Sequence, residues 1–269
     1  MTDTLLPDAI ASALTTERFG QSLRYHHAVG STNAVAADWA REGAPEGAVV
    51  LAEQQTAGRG RHGRSWVAPP HQALTGSVVL RPELPTELLS LIPLAASLAV
   101  ADVLSTYPLA DPPQIKWPND VLIGGRKCCG MLLETSMRAT GGASPRRSPV
   151  VLGIGLNVNQ TELPSGAGAT SLRMQVGRSV PRAPLWAALM KQLEARYDAL
   201  HDPNARTALR TAYTEQMLHY GKTITVRVPG AERTATGTVV GIDPSGALRL
   251  RTPRGVQAFH AGEVTTRTA

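Results

Sequence analysis

Between residues 58 and 64 three glycines alternate with three arginines, and a tryptophan follows at 66. The run over residues 53–66 reads Glu-Gln-Gln-Thr-Ala-Gly-Arg-Gly-Arg-His-Gly-Arg-Ser-Trp. Gly58, Gly60 and Gly63 leave backbone N–H groups bare and permit positive φ, so the chain can wrap an anion. Arg59, Arg61 and Arg64 carry guanidinium forks that match carboxylate or phosphate oxygens. Trp66 offers a flat apolar face on which a base can stack. Together these types suggest a loop that closes over a nucleotide or another anionic ligand. The same residues also suit a solvated basic loop or a segment that touches nucleic acid. The run is not a Walker loop, since no Gly-Lys-Ser/Thr follows, nor does it have the glycine spacing of a dinucleotide fingerprint.

Three other clusters could work beside it. Gly30-Ser31-Thr32-Asn33 precedes a helical run over residues 34–41. Ser31 or Thr32 is a natural N-cap, and hydroxyls and unpaired N–H groups at a helix start can also face a polar ligand. Lys116, Asn119 and Asp120 crowd the base of one strand, where Pro118 has no N–H to continue the ladder. They form a decorated turn, or equally a site for phosphates and a magnesium ion, which takes oxygen ligands. Lys127 opens a mostly apolar strand, and burial there would sharpen its effect on an anion.

Composition limits the function classes. The chain has 269 residues, a formal charge of +6 and a pI of about 9.7. Only four lysines are present (Lys116, Lys127, Lys191 and Lys222), so arginine carries most of the positive charge. Outside the loop the arginines are scattered, which favours a basic globular enzyme with acidic ligands over a nucleic-acid-binding tail. Cys128 and Cys129 are neighbours, fit neither a disulfide framework nor a Cys-x-x-Cys metal pattern, and point to a reducing compartment. The first residues lack the basic start of a signal peptide. The most apolar helix candidate, residues 88–104, is interrupted by Ser90, Pro93, Ser97 and Asp102 and makes a poor membrane span. A soluble, cytoplasmic protein with no membrane contact is expected, as a monomer or a homodimer.

The elements that must carry these residues follow from periodicity and turn chemistry. Helices are expected over residues 8–18, 34–41, 87–107, 184–200 and 204–218. Strands are expected over 25–29, 48–52, 74–80, 121–123, 128–135 and 150–159, with a Gly124-Gly125 hairpin turn. Gly153 and Gly155 mark places where a backbone or ligand comes close, and Asn157 lies near that strand's end. Residues 137–149 read as a surface loop. Short strands over 222–228, 233–242, 247–251 and 256–260, with a turn at Asp243-Pro244-Ser245-Gly246, suggest a small barrel. A boundary near Tyr220-Gly221 divides a domain over 1–220 from one over 221–269.

In their order and spacing these stretches resemble the biotin–protein ligases. The residues concerned are Gly30-Ser31-Thr32-Asn33, the run from Gly58 to Trp66, Lys116-Trp117-Pro118-Asn119-Asp120, Arg126-Lys127 before an apolar strand, and Gly153-Ile154-Gly155-Leu156-Asn157. Gly241 to Leu248 resembles the family's SH3-like end domain. The resemblance implies an α+β fold, with a mixed sheet and flanking helices like those of class II aminoacyl-tRNA synthetases, plus that small barrel. It also implies two half-reactions: biotin and ATP give biotinyl-5′-AMP with magnesium, and a lysine of a biotin carboxyl carrier protein then takes the biotinyl group.

By the same resemblance Ser31, Thr32, Asn33 and Gln55 meet the biotin rings. Gly58, Arg59, Gly60, Arg61 and Lys127 meet the biotin carboxylate side. Arg61, Arg64, Trp66, Lys116, Asn119, Asp120 and Asn157 belong to ATP, with Asp120 near the metal. Lys127 and Arg59 are the catalytic pair. His62 and Cys128-Cys129 depart from the family's pattern. Residues 1–24 are too few for a helix-turn-helix domain, so specific DNA binding is not expected.

Overall fold

The computed structural model describes residues 5–135, 149–163, 166, 168–227, 234–260 and, as backbone, 263–265. The first seven strands are β1 (Leu23–Val29), β2 (Val49–Gln55), β3 (Ala73–Leu80), β4 (Gln114–Lys116), β5 (Asp120–Ile123), β6 (Arg126–Thr135) and β7 (Val150–Asn157). The helices are α1 (Pro7–Ala13), α2 (Thr32–Arg41), α3 (Leu91–Leu104), α4 (Leu172–Val176), α5 (Arg182–Asp198) and α6 (Pro203–Gln216). The strands form one sheet in the order β1-β2-β3-β7-β6-β5-β4. β1 and β2 are parallel and the other neighbours antiparallel, so the sheet is mixed. A parallel pair needs a crossover, and α2 supplies it.

Alternation along the strands sorts side chains onto two faces. Val49, Leu51, Leu74, Val78, Leu80 and Leu152 join the main core with α3 and α5. Val50, Val79 and Val151 pack on the opposite face against Ala36 and Ala40 of α2. The small residues of α2 let it lie close to the sheet and leave the rest of that face for a site.

Two expected helices are shorter than their sequence pattern. The helix expected over 87–107 begins at Leu91, after a separate turn at Thr86–Leu88. Pro93 explains the break: it has no N–H for the carbonyl of Leu89, and its ring would clash there. The stretch Thr86–Leu104 is long and apolar enough by composition to cross a membrane, but α3 is a buried core helix packed on the sheet and α5. The helix expected over 8–18 ends at Ala13. Beyond it the N–H groups of Glu17, Arg18 and Phe19 all donate to the Glu194 carboxylate on α5, at 3.0, 2.8 and 3.2 Å. A tertiary acceptor there replaces the helical one.

The C-terminal strands β8 (Thr223–Arg227), β9 (Thr234–Ile242), β10 (Leu248–Thr252), β11 (Gly255–Phe259) and β12 (Glu263–Thr265) make a separate antiparallel sheet in the order β11-β10-β9-β8-β12. Its turn holds as expected: Asp243 Oδ1 accepts from the N–H groups of Ser245 and Ala247. Ile224, Val226, Val239 and Leu250 belong to the same core as α3. Trp117 Nε1 donates to Gly246 O at 3.0 Å, and Ser90 Oγ donates to Ser245 O, so this turn grips the first sheet. The loop expected over 137–149 lies, apart from Pro149, outside the described residues.

Candidate active site

Glycine makes the floor of the site. Register puts Ser77, Gly153 and Leu132 in one row across β3, β7 and β6, and Thr75, Gly155 and Gly130 in the next. A Cβ on Gly153 would lie 2.3 Å from Asn33 Oδ1, and one on Gly155 2.5 Å from the Trp66 ring. On Gly130 it would lie 2.7 Å from Lys127 Nζ. Three side chains from three separate segments therefore occupy the space that these glycines leave.

The start of α2 forms one wall. Ser31 is the N-cap residue, but its side chain makes no capping bond. Instead the Thr32 N–H and hydroxyl both donate to Gln55 Oε1, at 2.8 and 3.1 Å. Ser77 Oγ donates to Asn33 Oδ1 at 2.6 Å and lies 2.8 Å from Thr32 Oγ1. Thr32, Asn33 and Ser77 are all buried, so this network is rigid as well as polar.

The Gly-Arg loop forms the roof. Gly60 N donates to Arg64 O at 2.7 Å and Trp66 N to Gly58 O at 2.9 Å, which folds the loop back on itself. Gly58 is required there, because a Cβ would sit 2.3 Å from Trp66 O. His62 and Gly63 turn the tip with φ of 56° and 72°. That left-handed geometry is uncommon for a non-glycine residue. Arg61 Nη1 donates to Asn119 Oδ1 at 3.1 Å, and Asn119 Nδ2 donates to Met131 O, so the loop docks on the β4–β5 turn.

Lys127 lies between the floor and that turn. Its Nζ is 2.7 Å from Asp120 Oδ1 and 5.9 Å from the centroid of Trp66. Its backbone is clamped from outside: Lys127 N donates to Gly168 O and Thr170 N to Lys127 O, both at 2.8 Å. The next two residues are core. Burial pushes the Cys128 thiol up to about 12 and raises Cys129 as well, so neither is a ready nucleophile.

These pieces enclose an open cavity of about 280 Å³. Ser31, Thr32, Asn33, Gln55, Arg59, Gly60, Arg61, Arg64, Trp66, Lys116, Asn119, Asp120 and Lys127 all line it. Two expected site residues do not. Gly58 is buried in the crossing of the loop arms. Asn157 is not among the lining residues, and its amide is bonded within the protein: Nδ2 donates to Thr170 O and Oδ1 accepts from Gln160 Nε2. Its amide thus joins Gln160 to Thr170. Sequence reasoning missed Ser77, the glycine at 130 and Glu134, whose Oε2 accepts from Asn33 Nδ2 at 2.6 Å. The sequence signals for them are one of two hydroxyls inside an apolar strand, a glycine inside a strand and a carboxylate near a strand end.

The charge of the cavity is one-sided. Arg59, Arg61, Arg64, Lys116 and Lys127 bring five cations against the single lining carboxylate, Asp120. Such a site selects a ligand with several negative charges, and the apolar patches at Met131, Leu132, Ile154 and Trp66 select one with an uncharged body. Among the described residues no three His, Cys, Asp or Glu side chains gather as a metal cluster.

Comparison with known proteins agrees with this chemistry. The sequence profile of the Biotin/lipoate A/B protein ligase family matches residues 26–144, and that of the Biotin protein ligase C terminal domain matches residues 219–267. The biotin–[acetyl-CoA-carboxylase] ligase of Mycobacterium tuberculosis is 38% identical over 241 residues, covering 87% of this chain and 85% of that protein. The bifunctional ligase/repressor of Bacillus subtilis is 33% identical over 259 residues, covering 95% of this chain and 77% of that protein. Among solved structures, a biotin protein ligase from Aquifex aeolicus in complex with biotin and ATP superposes with a TM-score of 0.77. It is 27% identical and covers 93% of this chain and all of that one. The chain belongs to the biotin protein ligases, within the biotin/lipoate A/B protein ligase family.

Proposed function

We propose that this protein activates biotin with ATP and transfers the biotinyl group to a lysine of a biotin carboxyl carrier domain. The observation that carries the reading is the cavity itself, with five cations against one carboxylate above a floor of glycine and apolar side chains. In the first step a biotin carboxylate oxygen attacks the α-phosphorus of ATP, and the bond to pyrophosphate breaks. In the second the carrier lysine, as a free amine, attacks the acyl carbon, AMP leaves, and the amine proton passes to water. Both steps gather negative charge on phosphate and carboxyl oxygens, so fixed cations and positioning are what the protein must supply.

The roles are those that the family resemblance implies, and the lining of one cavity by these residues supports them. Ser31, Thr32, Asn33 and Gln55 meet the biotin rings. Arg59, Gly60 and Arg61 hold the carboxylate and phosphate side, and Gly58 keeps their loop folded. Trp66 stacks on adenine, while Arg64, Lys116, Asn119 and Asp120 line the nucleotide. Lys127 reaches the oxygens that gain charge in both steps. A single carboxylate, Asp120, suits a magnesium ion that keeps mainly phosphate and water ligands. The ion would neutralise phosphate charge.

The reading extends to the architecture and the setting. The sheet with its helices resembles the class II aminoacyl-tRNA synthetases, and the C-terminal strands an SH3-like barrel. The chain divides into a ligase domain over 1–220 and an end domain over 221–269, and it works in the cytoplasm. The test is biotin-dependent exchange of pyrophosphate into ATP. Exchange with biotin, and not with lipoate or octanoate, supports the reading. Exchange with either of the other acids and not with biotin overturns it.

A further inference from the structure

Glu134 has no part in the assignments above, yet it joins the two sides of the cavity. Its Oε2 accepts from Asn33 Nδ2 at 2.6 Å and lies 2.9 Å from Arg59 Nη2. The two donors differ in kind. Asn33 is 4% exposed and its Oδ1 is held by Ser77, so it is a fixed end. Arg59 is half exposed, lies between Gly58 and Gly60, and belongs to the loop that roofs the cavity. Glu134 sits near the end of β6, where its backbone is paired with Val151 of β7, so its mount is the sheet and not the loop. One carboxylate oxygen thus ties a movable guanidinium to a buried amide.

We propose that Glu134 is a positioning residue for biotin activation: it holds Arg59 at the cavity so that the guanidinium meets the biotin carboxylate already in place. Contact through one nitrogen leaves further guanidinium N–H groups for the substrate. Holding a mobile arginine before binding lowers the entropy that binding would otherwise cost. The opposite role, in which Glu134 occupies Arg59 and competes with the substrate, has the opposite sign: removing the carboxylate would then tighten biotin binding. The inference rests on the assignment of Arg59 to the biotin carboxylate.

Pyrophosphate exchange separates the cases when KM for biotin, KM for ATP and kcat are measured for Glu134→Ala and Glu134→Gln, alone and with Arg59→Ala. Glu134→Ala is expected to raise the biotin KM about fivefold, the size of a half-exposed charged contact, and to leave the ATP KM and kcat within about twofold. Glu134→Gln keeps an acceptor for both donors and is expected to restore most of the loss. With Arg59→Ala in place, Glu134→Ala should change the biotin KM by less than about twofold, since the group it positions is gone. A biotin KM that is unchanged or lower in Glu134→Ala overturns the proposal. So does an equal loss in both backgrounds, which would make Glu134 merely structural. Should Glu134→Ala not fold, Glu134→Asp keeps the charge and shortens the reach, and must raise the biotin KM likewise. A parent protein without biotin-dependent exchange defeats the functional reading and this inference with it. An active parent with unaffected variants defeats the inference alone.

Discussion

In the proposed reaction Lys127 is the residue on which the chemistry depends most. Its ammonium is 2.7 Å from the Asp120 carboxylate, folds over Gly130, and faces the ring of Trp66. Lysine is a flexible point charge, and here three neighbours fix where that charge lies. Lys127→Ala should lower kcat for adenylate formation and for transfer by about 10²–10³-fold, the usual loss for one electrostatic donor, with an unchanged melting temperature. Full turnover by the variant would remove Lys127 from the mechanism. At this scale the sequence was legible where charge and glycine cluster, as in the 58–66 run and at Lys116, Asn119 and Asp120. It was not legible where the partner is remote. Arg182, which precedes the helix expected over 184–200, is fully buried and pairs with Glu53 at 2.6 Å, 129 positions away. Ser77 and Glu134 take their meaning from Asn33, 44 and 101 positions away.

Among the elements, β7 shows why a strand with the apolar density of a core strand carries glycines. Gly153 and Gly155 admit the side chains of Asn33 and Trp66, so the close approach expected from sequence is made by the protein's own residues. Gly155→Ala should displace the Trp66 ring and raise the KM for ATP, with a smaller effect on biotin. An unchanged ATP KM would separate Trp66 from the nucleotide. The Gly-Arg loop gives a second test. It has internal bonds of its own, but three glycines and three like charges make it costly to order, and an anion offsets that cost. Protease cleavage within residues 59–66 should slow when biotin is added, and equal cleavage with and without biotin would count against ordering by the ligand. Most element types were readable from period and turn residues, but the five-residue helix α4 was not, since it is too short to show a period. Element ends were not, because Pro93 and the Glu194 carboxylate set them through backbone and tertiary bonds.

At the scale of the molecule, two sheets share one core, and the chain passes between them at His219 and Tyr220. His219 is buried, and its pKa falls from 6.5 to about 4, first through burial and then through Lys116 and Lys222. The folded protein holds it neutral, whereas the unfolded chain binds a proton near pH 6.5. Stability is therefore complete above about pH 6.5 and is lost as pH falls toward 4, by on the order of 3 kcal/mol. Denaturation of His219→Gln at pH 7 and pH 5 should show a smaller loss than the parent, and an equal loss would remove His219 from the acid response. The junction matters for function because Lys116, beside His219, lines the cavity, and Trp117 holds the turn of the second sheet. All of these residues serve one proposed outcome, the transfer of biotin to a carrier lysine. The measurement is the intact mass of a biotin carboxyl carrier domain after incubation with this protein, biotin, ATP and magnesium. One biotinyl group should be added, with no addition when ATP is left out or when the carrier lysine is changed to arginine. An unmodified carrier, or a modification that needs no ATP, would contradict it.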